Sequence, residues 1–157
     1  VAKKPPPGKK FKYDLQSVLK VRAIREKQEQ EKFSEKQREF LTEKEKEDQI
    51  RDDKLNSETD LRQVFTKPVT DMGKILSRKA HLDVLKSDLE KQIEKVIESS
   101  RKLEEQRARL IDSMKDKKVM EKHKERKLKE YGKMMLDLEQ KFMDEIATER
   151  FKQDKRD

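Results

Sequence analysis

Two histidines, His81 and His123, and the thioethers Met134, Met135 and Met143 are the side chains of this chain best suited to chemistry. An imidazole ligates a metal or moves a proton when a second ligand or an orienting acid lies one helical turn away. Neither histidine has a partner at H-E-x-x-H spacing, and the two lie too far apart to share a site, so both are expected to face water. Cysteine is absent, which excludes disulfides and thiolate nucleophiles and suits a reducing compartment. The three glycines are isolated, so no phosphate-cradling loop exists. Carboxylates are abundant, but without a cleft to shift their pKa they make poor general acids or bases. The methionines beside Phe142 suit an adaptable packing surface better than a cofactor box. The expectation is a non-enzyme with no metal, no cofactor and no small-molecule substrate.

The elements that carry these residues are legible in the composition. Charged residues make up 48% of the 157 residues and apolar ones 31%, too few to fill a layered core. Such a balance leaves a thin two-helix core or disorder, and periodicity decides for helix. Ile75, Leu82, Leu89, Val96, Leu103 and Leu110 recur every seventh position. Ile93, Met114, Leu128, Met135 and Phe142 are read as a second line, interrupted at Ser100, Arg107 and Glu121. A seven-residue repeat with three/four alternation keeps one narrow stripe against a partner helix.

Net charge is +8, and Lys3, Lys4, Lys9 and Lys10 supply half of it within the first ten residues. Taking those four from the 42 Lys and Arg leaves 38 against 34 acids, interleaved, which speaks against a nucleic-acid-binding body. There is no long apolar run and no signal peptide, so a soluble, cytoplasmic chain is expected.

Residues 1–10, with Pro5-Pro6-Pro7-Gly8, read as a disordered basic tail. Helix one is expected over 11–66, with Asp14 able to cap it and a lightly packed polar middle between Arg25 and Gln49. Pro68 and Gly73 mark a turn over 67–73, with Thr66 or Thr70 as the next cap. Helix two then spans 74–153, followed by a tail at 154–157. Within helix two, Glu105 with Arg109, Glu125 with Lys129 and Asp137 with Lys141 have the favourable i,i+4 order. The short turn favours an all-α fold, an antiparallel two-helix coiled-coil hairpin mirrored about position 68. Helix two must then outrun helix one, leaving Leu128, Tyr131, Met134, Met135, Leu138, Phe142 and Ile146 uncovered. An apolar stripe of that size marks a partner site. A basic stretch from Lys115 to Lys129 reads either as a solvated, frayed section or as a contact for an acidic surface.

Both ends of the chain resemble the FliJ family, the coiled-coil component of the flagellar type III export apparatus. Phe11-Lys12-Tyr13-Asp14-Leu15 followed by Val18-Leu19 and Arg22 is similar to that family's opening pattern. Glu139, Phe142, Met143, Asp144, Glu145, Ile146, Ala147, Arg150 and Phe151 are similar to its closing pattern. The lysine–proline tail departs from it. The resemblance implies a stalk similar to the coiled coil of the rotary ATP synthase gamma subunit, entering a hexameric export ATPase and promoting its assembly and activity. It also implies contact with the cytoplasmic domain of a membrane export gate and with export chaperones, at the cytoplasmic membrane of the flagellar base. Phe11, Leu15, Val18, Leu19, Arg22, Leu138, Phe142, Ile146 and Arg150 are then the ring-facing residues, and Met72, Ile75, Leu76 and Ala80 the gate-facing ones. The free protein is expected to be a monomer. An injectisome stalk, a generic coiled-coil dimer and a salt-sensitive binder of nucleic acid or acidic surfaces are the competing readings.

Overall fold

A computed structural model describes residues 10–66 and 71–153, with side chains as far as Phe151. Residues 1–9 of the expected tail over 1–10, residues 67–70 of the expected turn and the tail over 154–157 lie outside the described residues. The fold is all-α, with α1 spanning Gln16–Phe65 (50 residues) and the longer α2 spanning Met72–Gln153 (82 residues). Both are rich in Glu, Lys, Gln and Arg, which lose little side-chain freedom in a helix. Ion pairs one turn apart reinforce them, such as Lys102 with Glu98 and Lys129 with Glu125, both at 2.7 Å. Lys141 meets Asp137 at 3.7 Å, whereas Glu105 reaches back to Arg101 at 3.7 Å and not forward to Arg109.

The helix ends differ from the sequence expectation. The α1 helix begins at Gln16, because the amide of Gln16 bonds the Tyr13 carbonyl (3.1 Å) and Leu19 bonds Leu15 (3.0 Å). Asp14 therefore sits one residue too early to cap. At the other end of α1, Thr66 donates its hydroxyl to the Gln63 carbonyl at 2.7 Å. Asp71 caps α2: its carboxylate accepts the Gly73 amide (3.0 Å) and its carbonyl accepts that of Ile75 (3.2 Å). Thr66 does not have that role, since an N-cap must precede the helix directly and Met72 is the first helical residue; Thr70 lies outside the described residues.

Contacts divide the chain into two units, residues 27–112 and residues 1–26 with 113–157. In the first, α1 and α2 pair antiparallel. Leu82 is 6% exposed, and Leu85, Leu89, Val96, Leu103 and Leu110 are half-buried, as are Phe33, Phe40, Ile50, Leu61 and Val64 of α1. Reflection about position 68 sets Glu43 opposite Ile93 and Glu29 opposite Arg107. The observed partners are Gln92 and Gln106, one residue away.

That one residue carries a correction. The second seam line of α2 is Gln92, Ser99, Gln106, Ser113 and Met120, all buried or half-buried. Ile93, Met114, Leu128 and Phe142, expected there, are 36%, 49%, 49% and 63% exposed. Buried glutamines persist because α1 satisfies them. Gln92 donates to the Glu43 carboxylate (2.7 Å) and carbonyl (2.9 Å), and Gln106 does the same to Glu29 at 2.5 and 3.4 Å. The motif repeats after two heptads on both helices. Polar pairs of this kind hold register at a cost in stability, since each works only against its own partner. No buried side-chain polar atom is left unbonded among the described residues.

Candidate functional site

The unit formed by residues 1–26 and 113–157 contains every residue expected at the ring-facing end. Its chain entry is a non-helical stretch before α1 that lies against α2 through aromatic rings. Phe11 meets Tyr131 with centroids 5.6 Å apart, and Tyr13 meets His123 at 5.7 Å. Tyr13 is 7% exposed; its hydroxyl donates to the Met120 carbonyl (3.4 Å) and lies 2.8 Å from His123 Nδ1. Both contacts are satisfied when Nδ1–H donates to the phenol oxygen and the phenol donates to the carbonyl. His123 is thus a half-buried anchor and not the solvated side chain expected from sequence, while His81 is exposed. These rings, with Leu15 and Met134, line an open cleft of about 670 Å³.

Farther along, polar groups close the same seam. Arg22 donates to the Asp116 carbonyl at 2.8 Å, Lys117 pairs with Glu26 at 2.7 Å, and Lys124 donates to Gln16 at 2.9 Å. The Glu26 hydrogen bond holds the Lys117 ammonium above its usual pKa. The basic stretch from Lys115 to Lys129 is helical throughout, with Lys117 and Lys124 serving as seam residues. The expected fraying does not occur there.

The structure therefore sorts the ring-facing set into two groups. Phe11, ahead of α1, and Leu19 and Arg22 on it are half-buried, whereas Leu15 and Val18 are each 41% exposed. On α2, Leu138 and Ile146 are half-buried, Phe142 is 63% exposed and Arg150 is exposed. Among the described residues the last ring contact between the two segments is Phe11 against Tyr131, and α2 runs on to Gln153. Leu136, Phe142 and Met143 are 63–66% exposed along that run. In the other unit, Met72 (68%), Leu76 (62%) and Ala80 are exposed and Ile75 is half-buried, all on the first turns of α2 after its Asp71 cap.

Among the described residues no group of three His, Cys, Asp or Glu could hold a metal ion, and no helix is long and apolar enough to cross a membrane. The arrangement can offer surface: an aromatic cleft, an uncovered apolar run and a great deal of charge.

The family model for the flagellar FliJ protein matches residues 11–156. A solved structure described as a YscO homolog from Chlamydia trachomatis is similar, with a TM-score of 0.61 and 25% identity. That similarity covers 94% of this chain and 99% of the other. The comparison with curated proteins returns no match.

Proposed function

Because the chain belongs to the flagellar FliJ family, we propose that this component of the type III export apparatus is the stalk of the export ATPase. In this reading the end built from residues 11–22 and 138–150 enters the hexameric ATPase ring, promotes its assembly and raises its activity. Met72, Ile75, Leu76 and Ala80 meet the cytoplasmic domain of the export gate, and export chaperones use the same stalk as a docking partner. The protein works without catalysis of its own, in the cytoplasm against the membrane at the flagellar base.

The observation that carries this reading is the apolar run of α2 past Tyr131, with Phe142 63% exposed, in a chain otherwise dominated by charge. Large apolar side chains left in water along a helix are what a foreign surface covers. A chain trimmed after residue 135 should fail to stimulate hydrolysis by the cognate ATPase, whereas the full chain should stimulate it. Phe142→Asp should lose most of the stimulation with a change in stability within about 0.5 kcal/mol, because the side chain is exposed. Undiminished stimulation by the trimmed chain would remove the assignment. A persistent dimer in light scattering would favour a plain coiled-coil scaffold instead.

The likeness to a YscO homolog favours one second reading, the equivalent stalk of a virulence injectisome. The genes beside this one, flagellar or virulence, separate the two.

A further inference from the structure

Charge is distributed unevenly between the two units. Residues 1–26 with 113–157 hold 22 Lys and Arg against 13 Asp and Glu, whereas residues 27–112 hold 20 against 21. Part of the excess is aligned. Lys115, Lys118, Lys122, Arg126, Lys129 and Lys133 recur at steps of three or four along α2, and all six are exposed. At 100° and 1.5 Å per residue they fill an arc of about 80° over roughly 27 Å. The seam residues Ser113, Lys117, Met120, Lys124 and Tyr131 lie on the opposite side of the helix.

Neighbouring carboxylates neutralise only part of this line, Lys129 through Glu125. Glu121 is drawn to Lys117 (3.8 Å), Glu130 to Lys127 (2.7 Å) and Glu125 to Lys129 (2.7 Å). Among the described residues Lys118, Lys122, Arg126 and Lys133 have no carboxylate within ion-pair range. Like charges four apart repel along a helix, so the fold gains nothing from placing Lys118, Lys122 and Arg126 in sequence. Exposed apolar side chains flank the line on both sides: Met114 and Leu128 (each 49%) on one, Val119 (62%) on the other. By helical geometry the two flanks lie about 140–180° apart around the axis. A flat anionic bilayer resting on the basic line would leave both flanks in water. Nucleic acid would find phosphate contacts but no aromatic ring on this face to stack a base.

We propose that this face of α2 docks against a concave protein wall lined with carboxylates, which contacts the basic line and covers the apolar flanks on both sides. Within the proposed function, on which this inference rests, that wall is the inner surface of the ATPase ring. The contact supplies steering and orientation, and its strength falls as salt screens it.

The test uses the full chain, the triple variant Lys118→Glu/Lys122→Glu/Arg126→Glu and the cognate hexameric ATPase, with affinity measured from about 50 to 300 mM salt. The parent should bind more weakly as salt rises. The triple variant should bind about 100-fold more weakly at low salt and lose most of the salt dependence. Circular dichroism should show unchanged helicity, since the three side chains touch no seam partner. Equal affinity and equal salt dependence for parent and variant overturn the docking face while leaving the stalk reading intact. A parent chain that does not bind the ATPase overturns both. Stripe-dependent binding to phosphatidylglycerol vesicles, with ATPase affinity unchanged in the variant, overturns the protein wall in favour of a lipid surface.

Discussion

Replacing Gln106 with Ala should lower the melting temperature by about 4–8 °C. Gln106 is 6% exposed and donates through Nε2 to the Glu29 carboxylate at 2.5 Å and to its carbonyl at 3.4 Å. A hydrogen bond to a charged acceptor contributes about 1.5–3 kcal/mol. Glu29 keeps Lys32 at 2.8 Å after the substitution, and solvent reaches part of the carboxylate, so the lower half of that range applies. A loss of about 2 kcal/mol moves the midpoint of a chain this size by roughly 2–4 °C per kcal/mol. Thermal unfolding followed by circular dichroism reads the shift. A double-mutant cycle with Glu29→Ala isolates the pair and should return a coupling of about 1 kcal/mol or more. Gln92, which meets Glu43 in the same way, should repeat the destabilisation when changed to Ala. A midpoint shift below about 1 °C for Gln106→Ala, or a coupling near zero, would refute the claim that these buried amides hold the helices together.

The remaining predictions concern pH, one glycine and the aromatic entry. Hydrogen bonds lower the carboxyl pKa of Glu29 (from Lys32, then Gln106), Glu43 (from Lys46, then Gln92) and Glu47 (from Lys44, then Arg51). Their contribution is complete above the ordinary carboxylate pKa of 4.5 and disappears as pH falls through the lowered folded values. Lys36, Lys44 and Lys117 are raised by Glu39, Glu47 and Glu26, so their contribution is complete below 10.5 and is lost as pH rises through the raised values. A melting temperature measured against pH should therefore show a plateau between those limits and fall on both sides. Gly132→Ala should stabilise the protein by about 1 kcal/mol, because an added methyl group meets nothing within 4 Å. Tyr13→Phe should cost about 1 kcal/mol in the same melting assay, through loss of the His123 and Met120 contacts.

Much of the fold was legible from residue order. The leucine line from Ile75 to Leu110, the scarcity of Gly and Pro and the single break near Pro68 are local features. They specify two helices and an antiparallel return without knowledge of any distant contact. Reflection about position 68 sets Leu15 opposite about residue 121, and the structure joins the neighbouring pair Tyr13 and His123, although the histidine was expected to face water. The cap was harder to read, because Thr66, Thr70 and Asp71 are all competent and only the first helical residue chooses among them. The apolar residues expected at the ring-facing end look alike in a hydropathy reading. Packing separates Phe11, held against Tyr131, from Phe142, left in water.

The second seam line was beyond reach for a physical reason. Hydrophobicity selects Ile93, Met114 and Leu128, yet burial on a helix is set by angle around the axis relative to the partner. The position three residues past each leucine faces α1 whether or not it is apolar. Gln92 and Gln106 are admitted there because Glu43 and Glu29, about fifty and eighty residues away, accept their hydrogen bonds. Periodicity along one helix determined that a seam exists and how the chain folds back. Which polar groups the seam tolerates depended on what the other helix presents across it, and only the tertiary structure decided that.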